Sequence, residues 1–278
     1  MADGETQSAS WDFGRGLRGY VWRAPAAKAN LLLAHGFAEY AERYVAHYSN
    51  LIPRLNALGF DVYSFDLRGH GRSPGARGVT DIRRAVQDHL AARAALAADT
   101  KPLFLFGHSL GGLIAAASVA ADGGKVSGVV LSAPLLLITA PPHLRAIANV
   151  FAAILPGLRL LPASDASAIS RIEAEVTAYK NDPMISALSV PAKLGATAIA
   201  VSESAWTQYP NWTAPVLVAH GGQDTLTDPN GSKRFYDLVA ATDKQLELYP
   251  EGRHELLNDL DRDAVWAVIS TWLREHTR

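Results

Sequence analysis

The feature that most constrains this chain is a rhythm. Short apolar runs alternate with longer stretches of helical spacing. The runs "ANLLLAHG", "FDVYSFD", "KPLFLFGH", "VSGVVLSAP", "APVLVAHG" and "KQLELYP" are bounded by Gly, Pro or charged residues, and most are too uniformly apolar to leave one face in water. Between them, helical patterns lie near residues 41–58, 80–98, 109–121, 228–241 and 260–275. With an earlier alternating stretch, "LRGYVWRA", this order predicts a doubly wound α/β fold, a mainly parallel sheet covered by helices on both faces. Ligands of such sheets bind beyond the C-terminal ends of the strands, so the residues after each strand carry the functional reading.

The rhythm breaks once. Residues 135–213 contain no clear strand, and a structureless loop of that length is improbable inside a compact domain. The expectation is a helical cap, 135–213, inserted into a core made of 1–134 and 214–278. Within the cap, "HLRAIANVFAAIL" places Leu144, Ile147, Phe151, Ile154 and Leu155 on one helical face. That stripe serves either the cap's own core, the simpler expectation, or an acyl-binding or lipid-facing surface.

Composition narrows the chemistry. The 278 residues hold 26 basic and 27 acidic side chains, for a net charge of −1, and they are well mixed, so no electrostatic footprint points to nucleic acid. Cysteine is absent, which removes disulfides, thiol nucleophiles and Cys-ligated metals together and suits a cytoplasmic protein. The opening "MADGETQSASWDFG" has neither a basic nor an apolar signal region, and no apolar run reaches the ~18 residues of a membrane helix, so export is not expected. No Gly-rich phosphate loop follows the first apolar run. "HELLN" lacks the second His of a zinc motif, and "DTLTDPNG" lacks the Glu that closes a calcium loop, Phe235 standing in its place. Neither a cofactor nor a metal is expected.

Two segments match G-x-S-x-G: "GRSPG" around Ser73 and "GHSLG" around Ser109. The chemistry needs the serine on a sharp strand-to-helix turn, with an N–H on the next residue to meet an oxyanion. Ser109 is preceded by the apolar run "KPLFLF" and followed by the small-residue helix "LGGLIAAASVAA", and Leu110 has an N–H to give. Ser73 follows "DLRGHGR", which is no strand, and precedes Pro74, which has no N–H. Ser109 is the candidate nucleophile; "GRSPG" is read as a turn.

On such a sheet the acid and then the histidine follow the serine in chain order. His254, in the loop "PEGRHELL" between the last strand and the last helix, is the best base among the histidines beyond Ser109. Asp224 and Asp228 both follow a strand, but Asp228 precedes Pro229 and a helical pattern and suits an N-cap. Asp224 is left to orient the imidazole. A second oxyanion donor is expected from the loop after "LLLAHG", and the Phe37 N–H is the candidate, unless Gly36 there serves only backbone geometry.

With these residues in view, the chain resembles the α/β-hydrolase superfamily and, within it, the monoacylglycerol lipase and lysophospholipase-like branch. The resemblance rests on "HGFAEYAERY" (35–44), "DLRGHGRSPG" (66–75), "GHSLGG" (107–112), "GGQDTLTDPNGSKRFYD" (221–237), "YPEGRHELLND" (249–259) and the cap segment "ASDASAISRIEAEVTAYKNDPM" (163–184). It implies an α/β-hydrolase fold, a triad of Ser109, Asp224 and His254, and an oxyanion hole from Phe37 and Leu110. It also places Glu39, Arg43 and His108 at the substrate, although Glu39 and Arg43 could equally be an ion pair that braces the loop. Two departures bear on the alcohol part of the substrate. Phe37 is bulkier than the residue often found there, and Leu257 stands where some glyceride lipases carry a histidine. The expected function is hydrolysis of small acyl esters with an apolar chain, with transient contact to lipid interfaces through the cap. Thioester, lactone or amide hydrolysis by the same triad, or a non-catalytic small-molecule receptor, are the alternatives.

Overall fold

The computed structural model describes residues 7–159, 163–185 and 189–277; the first six residues of the leader lie outside them. Along the chain run β1 (Ala9–Trp11), β2 (Gly19–Trp22), β3 (Ala29–Ala34), α1 (Arg43–Ala46), α2 (Leu51–Ala57), β4 (Phe60–Phe65) and α3 (Ile82–Leu96). They are followed by β5 (Leu103–His108), α4 (Leu110–Ala121), β6 (Gly128–Ser132), α5 (Pro142–Ile154), α6 (Glu173–Asn181) and α7 (Ala192–Trp206). The chain closes with β7 (Val216–Gly221), α8 (Pro229–Leu238), β8 (Lys244–Tyr249) and α9 (Arg262–His276). One sheet orders its strands β1-β2-β4-β3-β5-β6-β7-β8. Across the sheet from β4 to β8 every pairing is parallel, and only the β1–β2 and β2–β4 pairings at one edge are antiparallel. The short β1 carries no period of its own in the sequence and exists by pairing with β2.

From β2 to β7 both faces of the sheet are buried, which explains the apolar runs, while the edge strands β1 and β8 are partly exposed. Leu32, Leu105, Leu131 and Val218 point into one core, shared with α3, α4, α7 and α8. Leu31, Leu33, Phe104, Phe106, Val130 and Leu217 point into the other, shared with α1, α2 and α9. The sequence predicts a single helix over 41–58. Instead it breaks at Tyr48, Ser49 and Asn50, which take φ values of 55°, 56° and 54°. Three consecutive left-handed non-glycine residues are costly locally. Tertiary contacts hold them: the Tyr48 N–H donates to Asn258, and Ser49 Oγ donates to the Leu257 carbonyl at 2.8 Å.

Between β6 and β7 the chain leaves the sheet and returns, and no described residue of this stretch adds a strand to it. Leu194, Ala198, Val201 and Ala205 of α7 enter the core beside α3 and α4. α5 lies outside α7, packed against it. Its apolar stripe is not an internal core. Of its residues Ile147, Ile154 and Leu155, with Val150 beside them, are 48–71% exposed and Phe151 is half-buried, while Ala152 is buried; the side chain of Leu144 lies outside those described.

The helix starts follow capping chemistry. Asp81 accepts from the Arg83 N–H and Asp228 from the Asn230 N–H, and Pro229 occupies the first turn of α8. Asp228 is exposed and does not touch the histidine loop, so Asp228→Ala is expected to cost about 1 kcal/mol in denaturant unfolding and leave activity intact. A loss of activity without loss of stability would contradict its assignment as a cap.

Candidate active site

Ser109 sits between the end of β5 and the start of α4 with φ 54° and ψ −118°, a conformation strained for any residue with a Cβ. Its N–H donates to the Ser132 carbonyl at 3.0 Å, and its carbonyl accepts from the Leu135 N–H at 2.9 Å. The glycines of the pattern are needed for approach. A Cβ on Gly111 would stand 2.0 Å from the Ala34 carbonyl oxygen, and one on Gly107 would stand 2.6 Å from the Gly111 oxygen. β5, α4 and the end of β3 therefore pack at backbone contact, with Ser109 on the turn between them. The other serine is tied down. Ser73 Oγ donates to the Asp66 carbonyl at 2.6 Å and accepts from the Arg18 N–H at 2.9 Å, within the loop after β4.

Asp224 and His254 come from loops after β7 and β8 and meet at 2.7 Å between Oδ2 and Nδ1. A carboxylate only accepts, so Nδ1 carries the proton and Nε2 is left as the basic nitrogen. Asp224 also accepts from the N–H groups of Leu226 and Thr227, at 2.8 and 3.0 Å, and from the Thr227 hydroxyl at 2.7 Å. On its far side His220 Nε2 lies 3.2 Å from the same Oδ2. Burial by itself would raise the Asp224 pKa, but His254 and His220 hold it below the usual carboxylate range. Burial would likewise lower the pKa of His254, yet Asp224, with lesser help from Glu255 and Glu39, raises it above the ordinary histidine value. No hydrogen bond joins Ser109 Oγ to His254 in this state; both side chains border the same cavity.

The loop after β3 is held by a buried charge network. Glu39 Oε1 accepts from the Gly36 N–H at 2.7 Å and the Tyr44 hydroxyl at 2.6 Å, and Oε2 accepts from Arg43 at 2.8 Å and the Tyr48 hydroxyl at 2.9 Å. Arg43 turns its other contacts to Glu255, a two-pronged pair at 2.9 and 3.0 Å, and lies over the Tyr48 and Tyr179 rings. Despite its burial, the Arg43 guanidinium keeps the Glu39 carboxyl well below the usual range. The network spans the Gly36–Phe37 loop and the histidine loop. The N–H groups of Phe37 and Leu110 find no acceptor among the described residues.

His108 is buried beside His254, with ring centroids 4.8 Å apart, and its Nδ1 lies 3.1 Å from the Ser132 carbonyl oxygen. Burial and the neighbouring His254 pull its pKa down to about 4, so it is neutral at physiological pH. Glu255, Thr227 and His220 are the polar residues of this site that motif reading passes over. A charged residue immediately after His254 was the available signal for Glu255; for the others only the fold brings them near Asp224.

The cavity measures about 400 Å³. Ser109, His254, His108, Glu39 and Glu255 lie on its border, and Leu135, Ile138, Leu194, Ala198, Ile199 and Leu226 supply apolar wall. Residues 166–172 reach over to the histidine loop and are pinned there. Arg253 donates to the Ser167 and Ser170 carbonyls, Glu255 N–H to Ile169, Arg171 to Asp259 and Asp261, and Ser170 Oγ to the Asn258 carbonyl. Among the described residues no group of three or more His, Cys, Asp or Glu is arranged to hold a metal.

A strained serine on the β5–α4 turn of a doubly wound sheet, facing a His–Asp pair from the last two strand ends, defines an α/β-hydrolase. Residues 25–261 match the family described as "Serine aminopeptidase, S33". The chain is 37% identical to the monoacylglycerol lipase of Mycolicibacterium smegmatis, with 88% of each covered, and 32% identical to the human monoglyceride lipase, covering 90% of this chain and 84% of that one. Among solved structures, it superposes on the monoacylglycerol lipase of Paleococcus ferrophilus with a TM-score of 0.84 at 33% identity, covering 94% of this chain and 99% of that one. A soluble variant of the Saccharomyces cerevisiae monoglyceride lipase in complex with a substrate analog gives a TM-score of 0.81 at 27% identity, covering 99% and 96%. The chain belongs to this serine hydrolase family, in its monoacylglycerol lipase-like branch, and is a carboxylic ester hydrolase.

Proposed function

We propose that the chain hydrolyses acyl esters, monoacylglycerols among them, through an acyl-enzyme on Ser109. In this reading Asp224 fixes the His254 tautomer, and His254 Nε2 takes the Ser109 proton as Oγ attacks the ester carbonyl. The oxyanion is met by the N–H groups of Phe37 and Leu110. The alcohol leaves with the proton from His254, and water repeats the sequence to release the acid. Glu39 acts by bracing the Gly36–Phe37 loop through its 2.7 Å bond to the Gly36 N–H, with Arg43 behind it; His108 borders the substrate as an uncharged wall.

The observation that carries the reading is the 2.7 Å Asp224–His254 pair opening on the cavity that Ser109 also borders. The lipases named above support the monoacylglycerol part of it. The cap belongs to the same proposal. Residues 135–213 form a covering insertion on a core of 1–134 and 214–278, and the exposed Ile147, Val150, Ile154 and Leu155 of α5 touch lipid interfaces transiently. No helix among the described residues is long and apolar enough to cross a membrane, and the cysteine-free chain suits work in the cytoplasm.

Brief exposure to a fluorophosphonate, followed by intact mass and peptide mapping, tests this. One adduct on Ser109, lost in His254→Ala, together with turnover of a 1-monoacylglycerol, is the expected result. The description of the family favours a second reading, amide hydrolysis by the same triad, so an arylamide of matched acyl chain belongs in the same assay. Faster cleavage of the amide than of the ester would replace the first reading with the second. An adduct elsewhere would overturn both.

A further inference from the structure

The polar lining of the cavity is one-sided in charge. Two carboxylates, Glu39 and Glu255, border it, and no Lys or Arg does so among the described residues. Arg43 is the only guanidinium or ammonium of the network among the described residues, and it is spent: 2% exposed, it is shared between both glutamates and stacked on Tyr48 and Tyr179. Behind His254 stands a third carboxylate, Asp224. With His254 neutral, the form that can accept a proton, three carboxylates therefore surround the reacting centre against one guanidinium. His108, neutral at physiological pH, adds no compensating charge.

The carboxylates also mark one end of the cavity. A Cβ on Gly36 would lie 2.7 Å from Glu39 Oε1 and 3.2 Å from Ser109 Cβ, so the carboxylate and the nucleophile flank the same backbone position. The apolar wall of Leu194, Ala198, Ile199 and Leu226 is the natural seat of an acyl chain. That leaves the alcohol beside Glu39 and Glu255.

Resting on the esterase reading above, we propose that the alcohol end of this cavity is electronegative and ranks esters by the charge of their alcohol, cationic above neutral above anionic. An excess buried charge acts over several ångströms in a poorly screened site. The same field disfavours leaving groups that carry phosphate or sulfonate, acyl-thioesters of phosphorylated carriers included.

Three butyryl esters test this on the unaltered protein: that of choline, that of its carbon isostere 3,3-dimethylbutanol, and that of 3-hydroxypropanesulfonate. The acyl chain is constant, and dividing each kcat/KM by the ester's own rate of hydroxide-catalysed hydrolysis removes the greater intrinsic reactivity of the choline ester, so the normalised ratios read the alcohol site. The choline ester is expected to exceed its isostere by ~10-fold or more, and the sulfonate to fall ~10-fold or more below it. Both ratios should persist in high salt, because surface steering is screened and a buried field is not. Glu255→Gln should narrow both. A choline ester no faster than its isostere, or a sulfonate as fast, overturns the proposal while leaving the esterase standing. If none of the three is cleaved and Ser109 takes no fluorophosphonate, both readings fall.

Discussion

Ser109→Ala is expected to lower kcat on an acyl ester by about 10⁴ to 10⁶-fold, with the fold intact. The effect is large because, in the proposed mechanism, the serine, histidine and aspartate act as one unit, and removing the nucleophile would leave only binding and the oxyanion donors. Ser109 has no hydrogen-bonded role for its hydroxyl elsewhere among the described residues, so the variant should unfold like the parent. Ser73→Ala is the matched control and should give the opposite pattern. Its hydroxyl joins the Asp66 carbonyl and the Arg18 N–H, and its loss should cost about 1–3 kcal/mol of stability while kcat stays within a factor of a few. Steady-state kinetics and thermal unfolding of the two variants side by side decide the matter. Comparable kinetic losses from both serines would remove Ser109 from its place.

Asp224→Asn is expected to lower kcat by about 10⁴-fold and to move the pH profile. The sign follows from the site. Burial alone would push the His254 pKa down, but Asp224 raises it, with Glu255 and Glu39 adding to the rise and His108 and Arg43 nearby. In the proposed mechanism His254 must be neutral to accept the Ser109 proton. In the parent, activity therefore falls on the acid side with an apparent pKa above about 6.5, the ordinary histidine value. Without the Asp224 charge, that limb moves to lower pH. The fold-loss caused by Asp224→Asn should thus be larger at pH 8 than at pH 5.5, where the parent is itself largely protonated. A limb that stays in place would mean that another group sets it.

Much of this was legible in the sequence because most of the sheet is buried on both faces. Six strand-like runs correspond to β3 to β8, and the motif around Ser109 with the chain order of the loops brings forward Ser109, Asp224 and His254 as candidates, residues that lie after β5, β7 and β8. The distinction between Asp224 and Asp228 was also readable, since Pro229 announces a helix start. What escaped was set by contacts distant in sequence. β1 is strand only because β2 pairs with it. The helix predicted over 41–58 is broken because Asn258 and Leu257 capture the backbone of Tyr48 and the hydroxyl of Ser49. The stripe on α5 has a helical period whether it faces protein or water, so periodicity could not say that Ile154 is exposed. Glu255 was hidden for the same reason: its partner Arg43 is 212 positions away.

The strapping of residues 166–172 onto the histidine loop has a consequence for how this chain can be recombined. A segment that lies outside the sheet, as 163–185 does, invites exchange between relatives as a way of altering specificity. Here Arg253, Asp259 and the Glu255 N–H find their partners in that segment, and Asn258 in turn grips the break between α1 and α2. A transplant that moves 163–185 alone severs the contacts that set the pose of the imidazole. The smallest portable unit is therefore discontinuous: the 163–185 segment together with 253–259 and, beneath them, 39–50.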